Sequence, residues 1–264
     1  MVSEPAEKSI KFSRSPPLFA RLVRSKIRVL MAIADLRREY KMASLRRADL
    51  ADDPLAQFKS WFSQATVAMH GSRLRKIGIA LYKLWQAVLG HTPVDVNAMV
   101  LATVDETGRP STRTVLLKGV DARGFIFFTN YHSRKGRELT ANPAAALTFY
   151  WAELERQVCV AGIVEKLPVA ESETYFKSRP RGSQLGAWAS NQSDRLADRT
   201  DLEKRWGEME KKFPGAIPLP DNWGGFVLKP DRIEFWQGRP SRLHDRFSYV
   251  RQPDGQWRIE RLSP

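Results

Sequence analysis

The chain has 264 residues, 42% of them hydrophobic, with eight tryptophans and a formal net charge of +14. That is ample apolar material for a packed core, and the basic excess points to an anionic partner: nucleic acid, membrane surface or phosphorylated ligand. A single cysteine, Cys159, excludes an intrachain disulfide, and no uninterrupted apolar run reaches the roughly 18 residues a membrane-crossing helix needs.

Much of the charge is local. Residues 1–34 carry seven Lys/Arg against two Glu, and residues 66–92 carry Arg73, Arg75, Lys76 and Lys83 with no acid. The opening stretch "KSIKFSRSPPLFARLVRSKIRVL" mixes Arg with Ser and lacks acids. It reads either as an organelle transit peptide or as a basic extension, with Met31 as an alternative start; a cytoplasmic protein is the expectation. Residues 35–48 read as a charged helix. In "DDPLAQFKSWFSQA", Asp53 caps a helix with Pro54 at its first position, and Leu55, Phe58, Phe62 and Ala65 share one face. Residues 72–89 form a second amphipathic candidate, with Leu74, Ile77, Leu81, Leu84 and Val88 aligned. Packing on the protein's own body is expected for it, although 8–28 and 73–88 are the segments that would meet a membrane.

From Asn97 the texture is that of strands. "AMVLATVDETGRPSTRTVLLKGVDARGFIFFTN" gives three β-rich runs with turns at "DETGRP" and "DARG", and "SRKGRELTAN" a short helix capped by Ser133. "AAALTFYW" and "RQVCVAGIVEKL" are strands; 169–178, 181–189 and 198–212 are helical; "WGGFVLKPDRIEFWQG", "DRFSYVRQ" and "QWRIERL" are strands again. Many closely spaced strands predict a mainly β protein with flanking helices, an antiparallel barrel rather than repeated βαβ units.

No metal-ligand spacing, Gly-rich phosphate loop or nucleophile elbow is present in this sequence. What stands out is cationic and hydroxyl residues at strand ends and turns. In "RTVLLK", alternation puts Arg113 and Lys118 on opposite faces unless a bulge intervenes. "SRK" opens a helix whose free amides, with Arg134 and Lys135, suit a phosphate. Tyr175, Arg179 and Ser183 recur every four residues, with Pro180 and Gly182 breaking the helix between the last two, a junction suited to a phosphate dianion. "EFWQGRPSRLHDRFSY" gathers Arg239, Arg242, His244 and Arg246 beside Trp236 and Phe247. It reads as a salt-bridged terminal hairpin or as a pocket for a flat anionic ligand.

"RTVLLK", "FFTNYHSRKGREL", "LERQV", "YFKSRPRGSQLGAWASNQS", "IEFWQGRPSRLHDRF" and "RIERLSP" occur in an order that closely resembles the pyridoxamine 5′-phosphate oxidase family, over about residues 35–65 and 93–264. The resemblance implies an FMN-binding split barrel (residues 35–264) working as a homodimer, with FMN at the subunit interface. It implies oxidation of pyridoxamine or pyridoxine 5′-phosphate to pyridoxal 5′-phosphate, with O2 as acceptor, H2O2 as product and no nucleic-acid partner. It assigns FMN to Arg113, Thr114, Val115, Leu116, Leu117, Lys118, Phe128, Thr129, Arg134, Lys135, Gln157, Gln192, Ser193, Trp236 and Arg246. It assigns substrate to Lys118, Tyr175, Arg179, Ser183, Arg242, Leu243 and His244, with the covering segment Arg37, Arg38, Glu39 and Tyr40. Arg242 and His244 are the catalytic candidates; neutral His244 would accept a hydrogen bond, its cation would hold an anionic ring oxygen, and the sequence leaves both open. The chain departs from the pattern at Phe128, where tyrosine is frequent, in an apparent insertion over 66–92, and in its first thirty residues. A flavin reductase-like split barrel and a non-catalytic FMN- or anion-binding module are the rival readings.

Overall fold

The computed structural model describes residues 39–70 and 95–264. The extension expected over 1–34, Arg37 and Arg38, and the amphipathic helix expected over 72–89 lie outside the described residues.

Helix α1 (Pro54–His70) starts as its sequence dictates. The Asp53 carboxylate accepts from the Leu55 and Ala56 amides at 3.0 and 3.2 Å, and Pro54 sits where no amide donor is needed. Phe58, Trp61 and Ala65 are buried, flanked by half-buried Leu55 and Phe62. Residues 66–70, expected to begin an insertion, complete this helix.

The helix expected over 35–48 is not present in its described part, residues 39–48; a single 3-10 turn, Arg47–Asp49, stands there instead. The reason is competition for donors. The Lys41 and Met42 amides bond Glu155 Oε2 at 2.8 and 2.9 Å, and the Leu45 amide bonds Asp245 Oδ2 at 3.0 Å. Tertiary acceptors take the amides an α-helix would have used.

Among the described residues, nine strands form one antiparallel sheet: β1 (Ala98–Val104), β2 (Pro110–Leu116), β3 (Gly119–Asp121), β4 (Gly124–Asn130), β5 (Ala144–Trp151), β6 (Arg156–Lys166), β7 (Trp223–Gln237), β8 (Asp245–Arg251) and β9 (Trp257–Leu262). The order is β2-β1-β5-β6-β7-β4-β3, with β8 and β9 branching from β7. Trp223–Leu228 of β7 pairs with β4, while Arg232–Gln237 pairs with β8, so the sheet forks along one long strand. The register slips at the fork, between Ala161 and Gly162 opposite Pro230, which has no amide to donate. Where the sequence suggested three runs before residue 130 there are four strands, because the chain breaks pairing at Leu117–Lys118.

Alternation sorts the two faces. Met99, Leu101, Phe125, Phe127, Leu147, Phe149, Val158, Ile233, Phe235 and Tyr249 make the buried face and pack on α1. The other face exposes Val100, Leu116, Tyr150 and Ile163. Helices α2 (Arg134–Ala141), α3 (Val169–Ser178), α4 (Arg181–Ala189) and α5 (Arg199–Lys212) follow the expected limits within a residue. Phe176, Leu185, Ile217 and Trp223 form a second, smaller core beneath α3, α4 and α5.

The β3–β4 turn requires glycine. Gly124 has φ +140°, and a Cβ there would lie 2.0 Å from the Leu228 carbonyl oxygen. Gly124→Ala is expected to cost about 3 kcal/mol, since strain and a backbone clash add. Urea denaturation checks this, and an unchanged midpoint would contradict it.

Candidate active site

A cavity of about 810 Å³ opens between the end of β2, β4 and the α3–α4 junction. The chain turns abruptly at its rim. Strand β2 stops at Leu116, the Leu117 amide bonds the Asn97 carbonyl at 2.8 Å, and the Lys118 amide bonds the Ile126 carbonyl at 2.8 Å. This turn defeats simple alternation, and Arg113 and Lys118 border the same cavity, with Thr114, Val115 and Leu116 between them. The Leu117 side chain instead belongs to the hydrophobic core.

At the far wall, Ser133 caps α2, its hydroxyl accepting from the Gly136 amide at 3.2 Å. Lys135 is buried, its Nζ 2.8 Å from Gln192 Oε1 and 3.2 Å from Thr129 Oγ1. Burial, reinforced by the Arg113 charge, pushes its pKa down to about 8. Arg134 is exposed and outside this lining, with Nε 2.7 Å from Glu138 Oε1. Ser193, at φ +77°, is also outside it.

Sequence reasoning missed Glu138. Its buried carboxylate pairs with Arg113 at 3.0 Å and Arg134 at 2.7 Å. The i,i+4 spacing from Arg134 was the available signal; the partner on β2 had none.

Tyr175, Arg179 and Ser183 meet at the broken helix junction, and all three line the cavity. Helix α3 ends at Ser178, Arg179 is extended (φ −73°, ψ 149°), and α4 begins after Pro180. The Tyr175 ring stacks on Phe128 (centroids 3.9 Å apart, 19° between planes), and Phe128 on Trp223 (5.6 Å, 11°). The Phe128 ring thus presses Tyr175 into place, a task that needs no hydroxyl. The Arg179 guanidinium lies 4.7 Å from the Trp223 ring centroid. Its Nη1 is the buried side-chain nitrogen or oxygen left without a hydrogen bond among the described residues, and desolvation lowers its pKa. A half-buried cation with a buried, unpaired nitrogen and no carboxylate to neutralise it is costly unless an anion completes the site.

The remaining candidates form a second cluster, and none of them lines the cavity. Gln157, Trp236 and Arg246 stand in one row across β6, β7 and β8. Arg246 grips Glu234 with two bonds, at 2.8 and 3.1 Å, and Gln157 Nε2 is 3.2 Å from Cys159 Sγ. In the following turn Ser241 and Arg242 both take positive φ, 56° and 62°. Arg242 and Leu243 are exposed. His244 Nδ1 accepts the Arg239 amide at 3.1 Å, so the neutral ring carries its proton on Nε2. Partial burial, then Arg242 and Arg246, hold the His244 pKa below its ordinary value. Tyr40 packs edge-on against Trp236 (5.5 Å) and His244 (5.6 Å), over Gly238, where a Cβ would lie 2.7 Å from the Tyr40 ring. Glu39 is exposed.

Residues 93–212 match the family described as pyridoxamine 5′-phosphate oxidase, and residues 223–264 match a pyridoxine 5′-phosphate oxidase C-terminal dimerisation region. A pyridoxine/pyridoxamine 5′-phosphate oxidase from Ralstonia nicotianae is 53% identical over 89% of this chain and 100% of its own. One from Pseudomonas paraeruginosa is 50% identical over 88% of this chain and 99% of its own. Among solved structures, PhzG from Burkholderia lata, in complex with tetrahydrophenazine-1-carboxylic acid, superposes with a TM-score of 0.70 at 28% identity, over 86% of this chain and all of that one. A pyridoxamine 5′-phosphate oxidase-related, FMN binding protein from Nostoc punctiforme shares the fold at a TM-score of 0.58 and 18% identity, over 81% of this chain and all of that one. The chain belongs to the pyridoxine/pyridoxamine 5′-phosphate oxidase family of oxidoreductases.

Proposed function

We propose that the protein binds FMN and oxidises pyridoxamine and pyridoxine 5′-phosphates to pyridoxal 5′-phosphate, with O2 taken up and H2O2 released, plus ammonia from the amine. The observation that carries this reading is Arg179, a half-buried guanidinium whose buried Nη1 has no partner and which pairs with no acid among the described residues, set beside Lys118, Tyr175 and Ser183 in one cavity. Those four groups suit the phosphate of the substrate. The cavity is large enough to admit a second, planar ligand, and its other polar residues (Arg113, Thr129, Lys135 and Gln192) suit a second phosphate, that of FMN.

FMN, when bound, supplies the hydride acceptor that no side chain offers. The protein's task is to bind and orient. Lys118, Tyr175, Arg179 and Ser183 tether the substrate by its phosphate. Phe128, stacked on Tyr175 and near-parallel to Trp223, keeps the tyrosine ring from turning away. His244, its Nδ1 engaged by the Arg239 amide, donates from Nε2 to a substrate oxygen rather than accepting a proton there. Arg242 closes over the site as a cation, since a guanidinium does not act as a base near neutral pH. Tyr40 covers the ring face beside Trp236.

The cavity and the Trp236–His244 cluster lie on different parts of one chain, and the family's dimerisation region spans the latter. In this reading each complete site combines the cavity of one subunit with the hairpin of its partner.

The direct test is formation of pyridoxal 5′-phosphate from either substrate by purified protein with added FMN; absence of product with both would overturn the reading. A pH effect accompanies it. Lys135 is cationic below about 8 and loses its proton above. Affinity for FMN is therefore expected to hold below that pH and to fall above it, by up to about tenfold per unit. Titration of FMN fluorescence across this range checks the sign.

A further inference from the structure

Resting on the FMN reading, we propose that Glu138 is a positioning residue: it holds Arg113 from behind and fixes the orientation in which that guanidinium meets the phosphate end of the cavity. Its Oε2 accepts from the Thr103 hydroxyl at 2.5 Å, the Ser111 hydroxyl at 2.7 Å and Arg113 Nη2 at 3.0 Å. Each hydroxyl has one proton, and both protons are spent on the carboxylate. Their lone pairs then receive the guanidinium: Arg113 Nη1 to Thr103 at 2.5 Å, and Nη2 to Ser111 at 2.5 Å. Nη1 also reaches the Leu101 carbonyl at 3.3 Å. Both terminal nitrogens of Arg113 are thus committed to the protein. Its Nε makes no hydrogen bond within the described residues, which leaves that edge for an anion.

The direction of every bond in this network follows from one ionised carboxylate. Four donors, Arg134 Nε included, hold its pKa down to about 2, against the desolvation that alone would raise it. The same charge acts on Lys135. Burial first, then Arg113 on β2, lowers the lysine's pKa, Glu138 on its own helix opposes that, and its other partners, Thr129, Ser133 and Gln192, are uncharged. Without Glu138, Arg113 would lose the one carboxylate it pairs with among the described residues, and Lys135 would give up its proton more easily. A carboxylate that only fastened α2 to the sheet would leave the pH dependence of phosphate binding where it is.

The experiment uses the full chain stripped of flavin, with FMN and riboflavin titrated by fluorescence quenching from about pH 6.5 to about pH 9.5. Riboflavin lacks the phosphate and is the control. Glu138→Gln is expected to weaken FMN about tenfold at pH 8, the order of one charge-assisted contact, and to move the alkaline fall in affinity down by about one pH unit. Riboflavin affinity should not change. Ser111→Ala keeps the charge but removes one hydroxyl link, and should weaken FMN about threefold without moving the pH profile. Wild-type FMN affinity and pH profile in a folded Glu138→Gln protein would overturn the proposal, as would equal losses for riboflavin and FMN. If Glu138→Gln does not fold, Ser111→Ala decides: a phosphate-specific loss supports the positioning role and unaltered affinity refutes it. Failure of the wild type to bind FMN removes the flavin reading and this inference together, whereas normal wild-type binding with unaffected variants removes this inference alone.

Discussion

Arg179→Ala is expected to raise KM for pyridoxine 5′-phosphate about a hundredfold, the size of losing two charge-assisted hydrogen bonds. FMN affinity should stay within about twofold, because Arg179 lies at the helix junction rather than beside Lys135 and Thr129. The effect on the fold should be small: the guanidinium has no acid partner among the described residues to orphan, and its Nη1 is already unpaired. Loss of its contact over Trp223 is offset by removal of a half-buried cation whose Nη1 is unpaired. The melting temperature of the flavin-free protein should therefore change little, while the gain from added substrate phosphate disappears. Steady-state kinetics with pyridoxine 5′-phosphate and pyridoxine, run beside an FMN titration, separate the terms. Comparable loss of FMN and substrate binding would show that Arg179 serves the flavin or the fold instead.

The contrast between Arg179 and Glu138 shows what a sequence discloses. The break at Pro180, the cap at Ser133 and the strand alternation that buries Phe149 and Phe235 are local, set by backbone donors and side-chain period, and they stand in the structure where the sequence puts them. Residues 39–48 misled because Glu155 and Asp245, more than a hundred positions away, take the amides a helix would have used. Lys118 misled because β2 ends one residue before Leu117, and the turn that follows is fixed by Asn97 and Ile126. Glu138 was invisible for a related reason. One of its arginines is four residues away on the same helix, but the other comes from β2, and only the fold joins them. The division of the expected site into a cavity and a separate hairpin cluster was equally hidden, because motif order along a chain does not say which residues of one copy face one another.

That division makes one further substitution informative. Val100 lies mid-strand on the outer face of the sheet, between Thr114 on β2 and Thr148 on β5, with Leu116 and Tyr150 also exposed on that face. A single chain has nothing to cover this surface among its described residues; in the proposed dimer, a second copy would cover it and bring the partner's hairpin to the cavity. In a two-fold dimer any substitution appears twice. Val100→Glu would place two carboxylates in a closing apolar contact, at a cost of several kcal/mol, while an exposed position in the isolated subunit tolerates the charge. The expected result is a folded monomer by light scattering, with a far-ultraviolet spectrum like that of the wild type, which neither retains FMN nor forms pyridoxal 5′-phosphate. Val100→Thr, similar in shape and uncharged, should stay dimeric and active. A monomeric Val100→Glu protein that still binds FMN at wild-type affinity would place the whole flavin site within one subunit, and the Trp236–Arg246 row would then need another role.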